Sequence, residues 1–94
     1  MRAIVINRCY GGFGLSQAAR KLLAQRKNVS MEEFYVYDIK RDDKDLVAVV
    51  RELGAEANDS HSELAIVEIP EDVKWYINEY DGMEAVHEAH RSWY

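Results

Sequence analysis

Cysteine and proline are nearly missing from this chain: Cys9 and Pro70 are the single examples of each among 94 residues. One thiol excludes an intramolecular disulfide and a cysteine-rich zinc site. One proline, set against a substantial aromatic and β-branched content, excludes a linker-like or disordered chain. No apolar run approaches the roughly 20 residues that a membrane-spanning helix needs. The apolar stretch in Met1–Asn7 is too short for a secretory signal, so the expected location is the cytoplasm. Basic residues are also in deficit, twelve Lys and Arg against seventeen Asp and Glu, for a net charge of −5. Such a surface repels phosphate backbones and anionic membranes, so neither direct nucleic-acid binding nor membrane association is expected. It suits a basic partner, a local cationic pocket within an acidic field, or solubility alone.

What the chain does have is enough apolar material for one modest core: 48% hydrophobic residues, including two Trp, six Tyr and two Phe. That length and composition fit a single domain over residues 1–94. Ala3–Asn7 reads as a buried strand on its Ile4-Val5-Ile6 run. A glycine-rich loop follows from Arg8 to Gly14. Ser16 offers an N-cap oxygen to a helix over Gln17–Lys27, with Ala19, Leu22 and Leu23 on its apolar stripe and Asn28 as its stop. Phe34–Tyr37 is a short strand candidate. Asp42 reads as the N-cap of a second helix, in which Leu46, Val49, Val50 and Leu53 recur at i, i+3, i+4 and i+7, with Gly54 as terminator. Ala55–Ser62 is polar and reads as a loop. Leu64–Ile69 is almost wholly apolar and reads as a central strand. It turns at Pro70-Glu71-Asp72 into Val73–Glu79, where Val73, Trp75 and Ile77 alternate with Lys74, Tyr76 and Asn78. Those two segments make the expected hairpin. Asp81, with Glu84 at the capping-box position, predicts a third helix. It would carry Met83, Val86, His90 and Trp93 on one side and Glu84, His87, Glu88 and Arg91 on the other. The expected fold is therefore α+β, a mixed four-stranded sheet with three helices packed mainly on one face, in the order β-α-β-α-β-β-α.

The segment Arg8-Cys9-Tyr10-Gly11-Gly12-Phe13-Gly14-Leu15-Ser16 is the leading site candidate. It joins a strand to a helix N-terminus, where unbonded N–H groups and the helix dipole attract anions. Gly11, Gly12 and Gly14 would let a ligand approach the backbone, Arg8 or Arg91 would pair with its charge, and Tyr10 would cover a base. The spacing matches neither a Walker loop nor the dinucleotide fingerprint. A tight turn needing positive φ accounts for the glycines equally well. In the last predicted helix His87 and His90 stand three apart instead of the zincin four, and His61 is the only other histidine, so no metal or other cofactor is expected. Cys9 is a nucleophile only if a base adjoins it, and a structural cysteine otherwise. The acidic cluster Asp38, Asp42, Asp43 and Asp45 fits helix capping as well as cation binding. Trp75, Tyr76, Tyr80, Trp93 and Tyr94 concentrate the aromatics near the C-terminus, where any surplus over the core could serve self-association or a partner.

The blocks Val5-Ile6-Asn7-Arg8-Cys9-Tyr10-Gly11-Gly12-Phe13-Gly14-Leu15-Ser16, Asp38-Ile39-Lys40-Arg41-Asp42-Asp43, Glu63–Pro70 and Glu79–Glu84, with His90-Arg91-Ser92-Trp93, resemble small proteins of unassigned function from tailed bacteriophages and prophages. The resemblance covers nearly the whole chain. Longer members carry an insertion where this chain has only Asn28–Glu33. What the resemblance implies is a setting, a viral accessory protein acting in the host cell cytoplasm and directed against host defences; it implies no particular chemistry.

Three functions compete. The first is a non-catalytic binder of a small anionic, nucleotide-like ligand at Arg8, Tyr10, Gly11, Gly12, Gly14, Ser16 and Arg91. The second is a protein–protein inhibitor of a host defence or nucleic-acid machine, its acidic surface meeting a basic groove and its C-terminal aromatics serving as anchors. The third is a small hydrolase using Cys9 or a histidine-bound metal.

Overall fold

The structure is a computed structural model and describes residues 1–30 and 38–88. Its elements run β1 (Arg2–Asn7), α1 (Gln17–Lys27), α2 (Lys44–Leu53), a short 3₁₀ turn (Gly54–Ala57), β2 (Leu64–Ile69), β3 (Trp75–Tyr80) and β4 (Met83–Glu88). The β-branched run of β1 is buried through its last four residues. β1 pairs antiparallel with β2, from Arg2 opposite Ile69 to Asn7 opposite Leu64. Both helices cover the Val5 side of this pair. Leu15, Ala19 and Leu23 meet Leu46, Val47, Val49, Val50 and Ala57 there, with Leu53, Leu64 and Ile66 partly buried around them. No helix among the described residues is long and apolar enough to cross a membrane.

Local signals place both helices. Ser16 Oγ accepts from Ala19 N at 3.1 Å, and Asn28 closes α1 in the left-handed region at φ 56°. The N-cap of α2 is Asp43, one residue later than expected: its carboxylate accepts from Leu46 N at 3.0 Å, while Asp42 pairs with Arg2 at 3.3 Å. Asp43 also joins the helices, taking a 2.8 Å bond from Lys27 Nζ in the last turn of α1. Partial burial pushes the Asp43 carboxyl up. The hydrogen bonds from Lys27 and Leu46 N, with the Lys27 charge, outweigh that and hold it below 3.8. The bond to Asp43 raises Lys27 above 10.5, against the opposing effect of burial. A depressed carboxyl contributes stability that is present above its unfolded value and lost as pH falls through the folded one; a raised ammonium loses its contribution as pH climbs past 10.5. Urea unfolding midpoints are thus expected to drop below about pH 3.8 and again above about pH 10.5. Asp43→Asn, which keeps a capping oxygen, flattens the acid limb. An unchanged acid limb in that variant removes the pair from the account.

The C-terminal third departs from the expected fold. The four described strands form two separate two-stranded antiparallel sheets, β1–β2 and β3–β4, in place of one mixed four-stranded sheet. The expected third helix is absent over Met83–Glu88, which is β4, leaving two α-helices among the described residues. Tyr80 and Met83 are paired across the loop Asp81-Gly82, with φ of 53° and 93°. Positive φ at both central residues is what a two-residue type I′ hairpin needs, and Asp-Gly is among its preferred dipeptides. The same Asp81 that suggests an N-cap thus starts a hairpin, and Glu84 turns away from it. β2 does not pair with β3. The connection through Pro70 is longer than the Asp-Gly loop, whose twist matches its flanking strands, and β2 instead lays Leu64 and Ile66 on the core beside β1. Leu64, Ile66, Ile69 and Trp75 are therefore only half-buried. The candidate strand Phe34–Tyr37 lies outside the described residues, as do His90, Arg91, Trp93 and Tyr94.

Candidate functional site

β1 ends on Asn7, a fully buried polar side chain. Its Nδ2 donates to the carbonyls of Cys9 at 2.7 Å and Gly82 at 2.8 Å. Its Oδ1 accepts from Glu63 N at 2.8 Å and lies 3.4 Å from Cys9 Sγ. One asparagine thereby ties together the start of the glycine loop, the approach to β2 and the turn of the β3–β4 hairpin. Beside it Glu84, only 7% exposed, accepts from Asn7 N at 2.8 Å and from Arg41 Nη1 and Nη2 at 2.6 and 2.9 Å. This is a two-pronged guanidinium–carboxylate pair, the strongest geometry for such groups. Arg41 also lies 3.5 Å above the Phe13 ring and reaches Val5 O at 3.4 Å.

The glycine loop wraps over this arrangement, and its glycines serve close packing. A Cβ at Gly11 would overlap the His61 carbonyl, and one at Gly14 would overlap the Asp59 carboxylate. Gly12 takes φ +98°, a conformation that favours glycine. The segment after the second helix, expected to be a plain polar loop, supplies the partners. Ser16 N donates to Ala57 O at 2.9 Å, Ser16 Oγ to Glu56 O at 2.6 Å, and Ser62 Oγ to Gly14 O at 2.9 Å. Leu15 and Asn58 form an isolated antiparallel bridge. Ser16 N–H, expected to face a ligand, is therefore spent inside the protein, and a carboxylate stands against Gly14. Both features weigh against an anion at that point of the loop.

The remaining candidates are spread. Arg8 is exposed, and its N–H donates to Glu63 O at 2.7 Å, extending the β1–β2 ladder. Tyr10 is 63% exposed at the crest of the loop. Arg91 lies outside the described residues. The Cys9 thiol donates to the His61 carbonyl at 3.1 Å, a structural use of the sulfur. His87 stands on β4, a strand, and not on the expected helix. Its ring stacks on Tyr76, centroids 5.5 Å apart. Among the described residues no three His, Cys, Asp or Glu side chains gather as a metal would require. An open groove of about 810 Å³ lies away from the loop, between the start of β1 and α2, lined by Arg2, Asp42, Lys44, Arg51 and Glu71 among others. Arg2, Asp42, Arg51 and Glu71 already take part in ion pairs.

Sequence reasoning overlooked Asn7, Arg41 and Glu84, the residues that hold the loop and hairpin together. A weak signal existed: each is a polar residue next to an apolar or turn segment, where burial demands a partner. The surface that stands out instead is aromatic. Tyr76 and Tyr80 are 51% and 77% exposed on β3, and Tyr10 sits in the loop against which Gly82 packs. Comparison of the chain with protein-family models, with curated proteins and with solved structures found no match.

Proposed function

We propose that this chain is a non-catalytic binding protein that engages a protein partner, a host protein in the setting its resemblance implies, through the exposed tyrosines of the β3–β4 hairpin and the glycine loop. The observation that carries this reading is the exposure of Tyr10, Tyr76 and Tyr80 at 63%, 51% and 77%. Tyrosine brings large contact area with few rotatable bonds and a polar tip, which is why it is enriched at interface hot spots. A fold with a modest core gains nothing in stability from three tyrosines held in water. The internal hydrogen bonds of the glycine loop support the same choice, because they give its glycines a packing role. The alternative, a small nucleotide-like anion held by Arg8, Tyr10 and the loop, draws on the exposure of Arg8 and Tyr10 beside the α1 N-terminus.

Two measurements decide between them. Native mass spectrometry of the freshly purified protein is expected to give the bare chain mass; a nucleotide retained until denaturation would overturn the protein-binding reading. Passing host extract over the immobilised chain is expected to retain a partner that Arg8→Ala still holds. Tyr76→Ala/Tyr80→Ala is expected to lose that partner by about tenfold or more, the size of a typical hot-spot loss. Equal retention by wild type and the tyrosine variant would sink this reading.

A further inference from the structure

The tyrosine surface carries a charge pattern that says what kind of partner it fits. The register places Tyr76 opposite His87, Asn78 opposite Ala85 and Tyr80 opposite Met83, so these six residues share one face of the hairpin. That face holds no acid and no permanent cation. Exposed acids follow and precede it along the chain: Glu71, which pairs with the N-terminal amine, and Asp72 before β3, Asp81 at the turn, and Glu79 and Glu88, which the register places on the opposite face at the two ends of the hairpin. Lys74 is the cation among them. Glu84, the remaining acid of the strands, is buried and neutralised by Arg41, so it does not belong to the rim.

Resting on the protein-binding reading, we propose that the β3–β4 hairpin is an acidic, aromatic arm that enters a cationic groove of a partner protein, one of the kind that otherwise holds a nucleic-acid backbone. The choice of occupant follows from charge. A second copy of this chain would bring the same carboxylates to the contact, and a nucleic acid would bring phosphates to them. Each would be repelled at a separation where fixed charges act strongly. A groove lined by arginine and lysine meets the rim with opposite sign, and its walls between the cations can stack on Tyr76 and Tyr80. Carboxylates beside flat rings repeat the pairing of negative charge with stacking surfaces that such grooves accept from single strands.

The test pans a random displayed-peptide library on the full chain, and titrates an enriched peptide into isotopically labelled protein. Enriched peptides are expected to be rich in Arg and Lys, and to shift the amides of Tyr76, Asn78, Tyr80 and His87. Tyr80→Ala, checked by thermal melting to remain folded, is expected to weaken binding about tenfold or more. Glu79→Gln/Asp81→Asn, which keeps an acceptor for Gly82 N and tolerates the positive φ at residue 81, is expected to flatten the salt dependence. Failure to enrich any peptide, enrichment of uncharged or acidic peptides, or cationic peptides that shift α1 and α2 instead overturns this inference and leaves the protein-binding reading standing. Shifts at the hairpin caused by a single-stranded oligonucleotide overturn it also. A nucleotide that shifts the Arg8–Ser16 amides in the same titration overturns the reading beneath it.

Discussion

Glu84→Ala is expected to lower the unfolding free energy by about 3–5 kcal/mol, the cost of breaking a buried ion pair from one side. The loss has identifiable parts. Removing the carboxylate deletes both bonds from Arg41 and the bond from Asn7 N. The guanidinium stays beneath the hairpin, over Phe13, largely out of water and without its counter-charge. The hairpin also loses its side-chain bond to the backbone of β1 at Asn7. Polar bonds join the hairpin to its neighbours at these points: Glu84 to Arg41 and to Asn7 N, and Gly82 O to Asn7 Nδ2. Arg41→Met is expected to be similarly costly. Arg41→Met/Glu84→Ala is expected to cost less than the sum of the two, since neither charge is then stranded, although Asn7 N–H and Val5 O remain to be satisfied. Denaturant titrations of the four proteins measure the coupling. A cost below about 1 kcal/mol for Glu84→Ala, the range of an exposed pair, would show that the pair is solvated and the hairpin held by other means.

Gly82→Ala is the second large effect. Gly82 has φ +93°, and a Cβ there would meet the carbonyl oxygen of Tyr10 and, at 2.7 Å, the amide nitrogen of Gly12. Both neighbours are backbone, so no side chain can swing away. An unfavourable φ costs an L-residue about 1–2 kcal/mol, and overpacking against fixed atoms adds about 1–3 kcal/mol. The expected loss is about 2–5 kcal/mol from these two sources together. Relief would separate the turn from the loop and stretch the 2.8 Å bond from Asn7 Nδ2 to Gly82 O. Gly12→Ala is the informative control. Gly12 also has positive φ, at +98°, but its Cβ would meet nothing within 4 Å, so only the conformational part is expected. Equal melting temperatures for the two variants would show that the contact between hairpin turn and loop is absent in solution.

These two sites also show where sequence reasoning reached its end. At Asp81-Gly82-Met83-Glu84 two local signals overlap. Asp81 with Glu84 three residues on is a capping box, and Asp81-Gly82 between β-formers is a hairpin turn. Neither is stronger on local grounds. Glu84 decides between them by reaching Arg41, 43 positions away in the chain, with geometry that a helix start at Asp81 would not provide. The glycine loop is a similar case. Glycine tolerates both a ligand and a neighbouring backbone, so its presence cannot say which comes close. Here the neighbours of Gly11 and Gly14 are His61 and Asp59, from a segment that carries no apolar periodicity to announce its packing.

By itself, the sequence determined the parts whose causes lie within a turn or two of chain. Among these are the buried run of β1, α1 between the Ser16 cap and the left-handed Asn28, the apolar stripe of α2 ended by Gly54, and the alternation of Trp75 and Ile77 with Tyr76 and Asn78. Capping bonds, side-chain periods of 3.6 and 2, and positive φ at chain stops are short-range, so they are written locally. Tertiary structure alone decided that β2 joins β1, that Met83–Glu88 becomes a strand, and that Asn7, Arg41 and Glu84 meet. Buried polar groups must find partners wherever the folded chain brings them, and composition does not encode that distance.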